Sequence, residues 1–268
     1  MAVGRISPSR ETPDFTREQM ERYRRQMVIP EVGEAGQSKL RDARVCLVGL
    51  GGLGSVSAMY LAAAGVGRLC AVDGDRVELG NLNRQVIHWT QDLGEAKAES
   101  ARRKLGALNP EVHLEMLRAD VTDAAISGLA TGCSVLVEAA DNLQTRKAIN
   151  RFSVREGIPF AVGGVNGFHG MVTTVIPGAS ACLECIFPGR HPGGEEEIGV
   201  LGPLPGMVAS IQALEAIKLT ASQKPAQPPL GTLKPLETTR ADNQVPGFLR
   251  VHQSCYAAPA GRWPGGCC

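Results

Sequence analysis

The glycines of GLGGLG, at 49, 51, 52 and 54, stand between an apolar run and a helix-forming run, and Gly49, Gly51 and Gly54 keep the G-x-G-x-x-G spacing. Such a turn lets backbone N–H groups approach a phosphate while the following helix offers its positive N-terminus. About 20 residues further on, Asp73 closes a second apolar run, where its carboxylate can accept hydrogen bonds from ribose hydroxyls; Asp75 is the alternative. These residues alone suit NAD, FAD or ATP.

Chemistry beyond nucleotide binding comes from VELGNLNRQVIHW, Val77 to Trp89, which places Asn81, Asn83, Arg84 and Gln85 just after the second strand. A hydride-transfer enzyme needs a nicotinamide pocket and a substrate acid or base, and gains little from polar groups crowded around phosphates. Nucleotidyl transfer needs cations and amides fixed around a triphosphate as charge moves onto the leaving pyrophosphate. Lys97 adds a point charge on the next helix. Asp141, at the end of a neighbouring strand, is placed to hold Mg²⁺. Taken singly, Arg84 or Lys97 reads equally well as a solvated surface charge; as a set with Asp73 and Asp141 they converge where the carboxyl ends of parallel strands meet.

Alternating elements supply that convergence. ARVCLVGLGGLGSVSAMYLAAAGVGRLCAVDGD reads as strand, glycine turn, helix ending near Gly65, and second strand, one βαβ unit. A polar helix in GEAKAESARRKLGALNP, a strand around VHLEMLRADV and an apolar strand in CSVLVEAADN follow, which indicates a doubly wound, Rossmann-like and mostly parallel α/β sheet. PFAVGGVNG and GMVTTVIPG read as two further, antiparallel strands meeting near Phe168 and His169. The sequence before Leu40 forms an arm whose helix is capped by Thr16, carries Met20, Tyr23 and Met27 on one face, and ends at Pro30. CLECIFPGRHPGGEEEIGVLGPLPG should be an exposed, mobile connection. MVASIQALEAIKLT should pack a stripe of Val208, Ile211, Leu214 and Ile217 on the sheet. The proline-punctuated tail offers only the short strand-like pieces GTLKPLETT and GFLRVHQ.

Length and charge exclude other classes. The 268 residues, 43% hydrophobic, suffice for one large domain. Lys plus Arg number 28 against 27 Asp plus Glu, so no field of one sign favours nucleic acid or an anionic membrane. The opening residues lack the apolar core of a signal peptide, and no run approaches the roughly 20 apolar residues of a span. A cytoplasmic location is expected. Its reducing conditions argue against reading the 8 cysteines as a disulfide framework. Cys46, Cys70 and Cys133, inside apolar strands, read as core.

RYRRQ, GLGGLGS, YLAAAGVG, DGDRVELGNLNRQ, GEAKAESA, AADN and CLECIFP together, from about Arg22 to about Leu219, resemble the ThiF/MoeB/HesA family, the bacterial branch of the ubiquitin-activating enzymes. The resemblance implies one adenylation domain over 1–268: a helical arm at 1–40, a nucleotide-binding core at 41–180, a mobile loop with C-x-x-C at 181–206, and a helix and tail at 207–268. It implies ATP- and Mg²⁺-dependent adenylation of the C-terminal Gly-Gly carboxylate of a ubiquitin-like sulfur carrier of molybdopterin or thiamine synthesis, which a sulfur donor then converts to a thiocarboxylate. Carried over by position, Gly49, Gly51, Gly52 and Gly54 form the phosphate turn, Asp73 binds ribose, and Asn81, Asn83, Arg84, Gln85 and Lys97 surround the phosphates. Asp141 is the Mg²⁺-linked aspartate, with Asn142 beside it. Arg25 corresponds to an arginine finger that reaches the partner subunit's ATP, which implies a homodimer. The apolar hairpin around Phe168 is a candidate for holding the carrier body.

Departures from that pattern matter too. Family members hold structural zinc with two C-x-x-C pairs. Cys182 and Cys185 give the first, but Cys255 is followed by Ala258 where its partner belongs, so a zinc site needs Cys267, Cys268 or His252 as its fourth ligand, and a lapsed site with free thiols is the alternative. The loop cysteine of many relatives is replaced by Glu195, which argues against a covalent carrier link there, and Gly80 replaces a common serine. Other readings are adenylation of a carboxylate on modified tRNA, an NAD-dependent oxidoreductase, and a carrier-binding homologue without turnover.

Overall fold

A computed structural model describes residues 15–187 and 199–221. Expectations for the C-terminal strands, Glu195, His252, Cys255, Cys267 and Cys268 lie outside the described residues. The N-terminal arm holds two helices, α1 (Arg17–Met27) and α2 (Gly33–Asp42). Thr16 and Gln19 close α1 with a reciprocal capping box, at 3.2 and 2.9 Å. Tyr23 is buried against the core, where its hydroxyl donates to Glu111 and receives Asn109 Nδ2.

The core begins with β1 (Arg44–Val48), α3 (Gly52–Ala63) and β2 (Arg68–Val72). It continues with α4 (Lys97–Leu108), β3 (His113–Leu117), α5 (Asp123–Ala130), β4 (Val135–Glu138) and α6 (Leu143–Glu156). Then come β5 (Phe160–Asn166), β6 (His169–Val175), α7 (Leu183–Ile186) and α8 (Pro203–Ala221). Six strands lie in the order β3-β2-β1-β4-β5-β6, all parallel except the β5–β6 hairpin. The expected mostly parallel sheet with an antiparallel addition is therefore present. Its order reverses between β1 and β4, and a crevice opens at such a switch point beyond the strand ends.

The strands read as unbroken apolar runs because both sheet faces are covered. Val45, Leu47, Leu69, Ala71, Val135 and Val137 point into a core with α3, α4 and α8. Cys46, Val48, Cys70, Val72 and Leu136 point into the opposite core with α5 and α6. Cys133 joins that second core, so the three cysteines assigned to the interior are found there.

Two expectations need correction. Leu214 is 53% exposed; the buried stripe of α8 is Val208, Ala209, Gln212, Ala213 and Ala216. Small side chains bring that helix close to the sheet, and Gln212 Nε2 donates to the carbonyls of Glu138 and Ala161. The connection after β6 is not exposed at its start. Ala181, Cys182 and Leu183 are buried, and Leu183 N–H donates to Asn150 Oδ1 on α6. The same connection re-enters the fold at a short bridge between Val200 and Gly167, in the β5–β6 turn. Among the described residues no helix is long and apolar enough to cross a membrane.

Candidate nucleotide site

The glycine turn is built by close contact. Gly49 adopts φ +100°, and a Cβ there would meet the Ala139 carbonyl oxygen at 2.6 Å, so the ends of β1 and β4 abut at this residue. A Cβ on Gly54 would lie 1.9 Å from the Gly49 carbonyl oxygen, which ties α3 against the turn. Leu50 between them is buried, and both of its backbone polar groups are held by side chains. Asp73 Oδ2 accepts its N–H at 2.7 Å, and His88 Nε2 lies 3.1 Å from its carbonyl. Gly51, the N-cap of α3, has no side chain to cap the helix, and among the described residues no carboxylate or hydroxyl caps its first turn, which faces the crevice.

A cleft of about 1220 Å³ opens there. Gly49, Gly51, Gly52, Asp73, Arg84, Gln85, Lys97, Asp141 and Asn142 all line it, so most of the residues singled out in the sequence come together. Lys97, the first residue of α4, is buried and pairs with exposed Asp75 at 2.8 Å. Asp73 is buried at the end of β2 and also accepts the Asp75 N–H, at 2.9 Å. Arg84 Nη1 donates to the Gly80 carbonyl at 2.8 Å and to Asn83 Oδ1 at 3.1 Å. Gln85 is buried, and among the described residues its Oε1 has no hydrogen-bond partner.

Four of the singled-out residues stand off the cleft wall. Gly54 packs inside α3. Asn81 Oδ1 accepts the Glu78 N–H and shapes the turn from which Arg84 and Gln85 project. Asn83 lies outside, holding Arg84. Arg25 is exposed in the last turn of α1, away from the cleft of its own chain.

The opposite wall follows β4. Asn142 caps α6 by accepting the Thr145 N–H at 2.9 Å and so fixes the start of the helix behind Asp141. Beneath it lie two residues that composition did not mark. Glu138 is fully buried; its Oε1 accepts the Ala140 N–H at 2.9 Å, and among the described residues its Oε2 has no hydrogen-bond partner. Burial pushes its carboxyl up to about 7, against the pull of the Arg146 guanidinium 3.6 Å away. Arg146 donates to the carbonyls of Ala140 and Gly163. The arginine and the carboxylate thus fix the Ala139–Ala140 backbone that delivers Asp141 to the cleft.

His88 was also missed. It is 2% exposed, and burial holds its imidazole below the usual histidine range. Its signal was weak, a lone histidine beside Trp89. Among the described residues no group of three or more His, Cys, Asp or Glu is arranged to hold a metal. Cys182 and Cys185, the expected zinc pair, bring their sulfurs to 3.8 Å.

Fold and site define a doubly wound α/β domain with a glycine-turn cleft at its switch point. The ThiF family model matches residues 23–255, and the chain belongs to that family. It is 44% identical to the SAMP-activating enzyme E1 of Haloferax volcanii, over 75% of this chain and 76% of that one. It is 41% identical to a sulfur carrier protein adenylyltransferase of Thermus thermophilus, over 76% and 79%. To the ThiS adenylyltransferase of Escherichia coli it is 36% identical, over 80% and 85%. Among solved structures, PaaA superposes with a TM-score of 0.65 at 24% identity, covering 82% of this chain and 71% of that one. Escherichia coli MccB with a bound MccA variant gives 0.64 at 24% identity, over 70% of this chain. This chain spans 59% of that MccB chain. At such identity these two structures speak to the fold.

Proposed function

We propose that this ThiF-family adenylyltransferase uses ATP and Mg²⁺ to adenylate the C-terminal Gly-Gly carboxylate of a ubiquitin-like sulfur carrier. The observation that carries the reading is the uncapped α3 N-terminus facing a cleft that also holds Arg84, Lys97, Asp73 and Asp141. Relatives named as sulfur carrier and ThiS adenylyltransferases supply the substrate class.

The chain's residues account for the chemistry by positioning and charge. Backbone N–H groups of the glycine turn and the α3 dipole hold phosphate oxygens. Asp73, with both carboxylate oxygens already fixed by backbone N–H groups, presents its remaining lone pairs to ribose. Arg84 and Lys97 balance negative charge as the α-phosphate is attacked and pyrophosphate leaves. The attacking group is the carrier's own carboxylate, already ionised, so no general base is required. Asp141 would hold Mg²⁺, which needs only one or two protein carboxylates when substrate phosphates complete its shell. Bound there, the ion neutralises the leaving phosphates. Arg25, exposed on α1, would act on the partner subunit's site in a homodimer.

Zinc fits the Cys182 and Cys185 pair. Two thiolates about 2.3 Å from a tetrahedral Zn²⁺ stand about 3.8 Å apart, the spacing of these sulfurs. Cys255 and Cys267 would complete the site.

ATP–pyrophosphate exchange with Mg²⁺ tests the activity. It is run without carrier, with Gly-Gly-ending carriers of the thiamine and molybdopterin pathways, and with the same carriers lacking the last glycine. Exchange that requires the intact tail is expected, and the preferred carrier names the pathway. Folded protein that binds ATP but exchanges with no carrier overturns the assignment.

A further inference from the structure

A neutral histidine that holds a carbonyl must donate to it, because the carbonyl oxygen can only accept. His88 Nε2 therefore carries the proton toward Leu50. Its Nδ1 lies 2.9 Å from Ser100 Oγ, whose hydroxyl hydrogen it shares with Asp92 Oδ2 at 3.2 Å. Ser100 Oγ in turn accepts Lys104 Nζ at 3.0 Å. Lys104 pairs with Asp92, whose carboxylate also takes the Trp89 N–H at 2.6 Å and Arg103 at 2.7 Å. His88, Ser100 and Asp92 are each at most 2% exposed. One buried chain of hydrogen bonds thus runs from α4 to the middle of the glycine turn.

Peptide geometry makes that endpoint matter. The carbonyl of Leu50 and the N–H of Gly51 belong to one planar trans unit and point in opposite directions. Gly51 lines the cleft. Holding the Leu50 carbonyl inward holds the Gly51 N–H toward the cleft, while Asp73 fixes the preceding peptide through the Leu50 N–H. Two successive peptides of the turn are pinned by two buried side chains from separate segments.

We infer that His88 is a positioning residue: through Leu50 it orients the Gly51 N–H toward the nucleotide phosphates. This rests on the reading of the cleft as an ATP site. It adds to that reading a residue that touches neither nucleotide nor carrier.

The test compares His88→Gln with His88→Asn. The amide nitrogen of glutamine can take the place of Nε2 and reach Leu50. The nitrogen of asparagine takes the place of Nδ1, so it can pair with Ser100 and falls short of Leu50. Equilibrium ATP binding with Mg²⁺, KM and kcat for exchange, and melting temperature are measured for both. The expected result is an ATP Kd and KM raised on the order of tenfold in His88→Asn, as for loss of one ordered hydrogen bond. In His88→Gln most of that affinity returns, whichever variant melts lower. Equal ATP affinity in wild type and His88→Asn, measured well below both melting temperatures, overturns the inference. So does a loss in His88→Gln as large as in His88→Asn. Wild type that binds ATP without exchanging with any carrier refutes the carrier assignment alone, and the binding comparison still decides on His88. Wild type that does not bind ATP overturns both.

Discussion

Lys97 Nζ sits 2.8 Å from Asp75, yet the two residues stand in different media: the lysine side chain is 6% exposed and the aspartate 71%. The ammonium is held at the cleft wall by a partner that water can replace. A triphosphate entering the cleft competes for the same ammonium. Lys97→Ala should therefore lower kcat/KM for exchange by a factor on the order of 10²–10³, as for loss of a donor to developing charge. Asp75→Asn, which removes a competing anion, should change it by less than about tenfold. Steady-state kinetics of both variants check this, and a larger loss in Asp75→Asn than in Lys97→Ala would transfer the ribose role to Asp75.

Two glycines of the turn make separable predictions. A Cβ at Gly52 would meet protein atoms only at ordinary contact, 3.5 Å from Pro205, whereas one at Gly54 would strike the Gly49 carbonyl at 1.9 Å. Gly54→Ala should lower the melting temperature by several degrees and weaken ATP binding as the turn shifts. Gly52→Ala should leave the melting temperature within about a degree of wild type, since its methyl group displaces nothing in the protein. Its ATP affinity should still fall, because that methyl occupies space a phosphate needs. Thermal melts and nucleotide titration on the two variants separate the effects, and undiminished ATP binding by Gly52→Ala would remove the phosphate from this turn.

What the sequence revealed follows from which residues carry their signal in side-chain type. β1, β2 and β4 are buried on both faces and so appear as unbroken apolar runs, and the glycine turn between β1 and α3 has its own spacing. α2 was not legible: GEAGQSKLRD contains one leucine and two glycines, and burial of Gly36 against α8 and of Gln37 against Gln26 and the Ala64 carbonyl leaves no periodic mark. α6 was hidden for a related reason, because Asn142 was read as a neighbour of the metal-linked aspartate, while its oxygen caps the helix. The buried stripe of α8 is mostly alanine, which periodicity weighs lightly. Within the site, cationic and acidic residues were legible from type. His88, and the charged pair Glu138 and Arg146, act through backbone bonds that residue type does not announce.

Glu138 gives a pH dependence with a definite sign. Its folded pKa of about 7 lies above the ordinary value of 4.5, so between those values the folded chain retains a proton that the unfolded chain releases. The stability associated with that proton is fully present below 4.5 and is lost as pH rises through 7. At 1.36 kcal/mol per unit, the loss between pH 5 and pH 8 is about 2–3 kcal/mol. Glu138→Gln cannot ionise. Urea denaturation at the two pH values should show the variant gaining that amount relative to wild type on going from pH 5 to pH 8, and a difference independent of pH would contradict the assignment.

The sulfur pair on α7 makes a prediction independent of nucleotide chemistry. If Cys182 and Cys185 hold zinc with Cys255 and Cys267, elemental analysis of purified protein should give about one zinc per chain. Cys182→Ser should lose most of it, and so should Cys255→Ser. A chelator should lower the melting temperature of wild type and leave Cys182→Ser unmoved, since metal affinity contributes directly to folding. Zinc-free protein whose melting temperature ignores the chelator would make the pair a remnant packed under α6.

Arg25 lies in the last turn of α1 beside Arg24, where two cations also complement the helix dipole, so a purely local role must be separated from action on a partner. It is exposed and does not line the cleft of its own chain. In a two-fold dimer, mixing Arg25→Ala chains with Asp141→Ala chains creates one site that lacks both groups and one that has both. Each homodimer should be nearly inactive, and verified mixed dimers should recover about half of wild-type exchange, in proportion to their one intact site. Recovery of that size requires Arg25 to cross the interface. Arg25→Ala homodimers with full activity, or mixed dimers with none, would return Arg25 to the surface of its own helix.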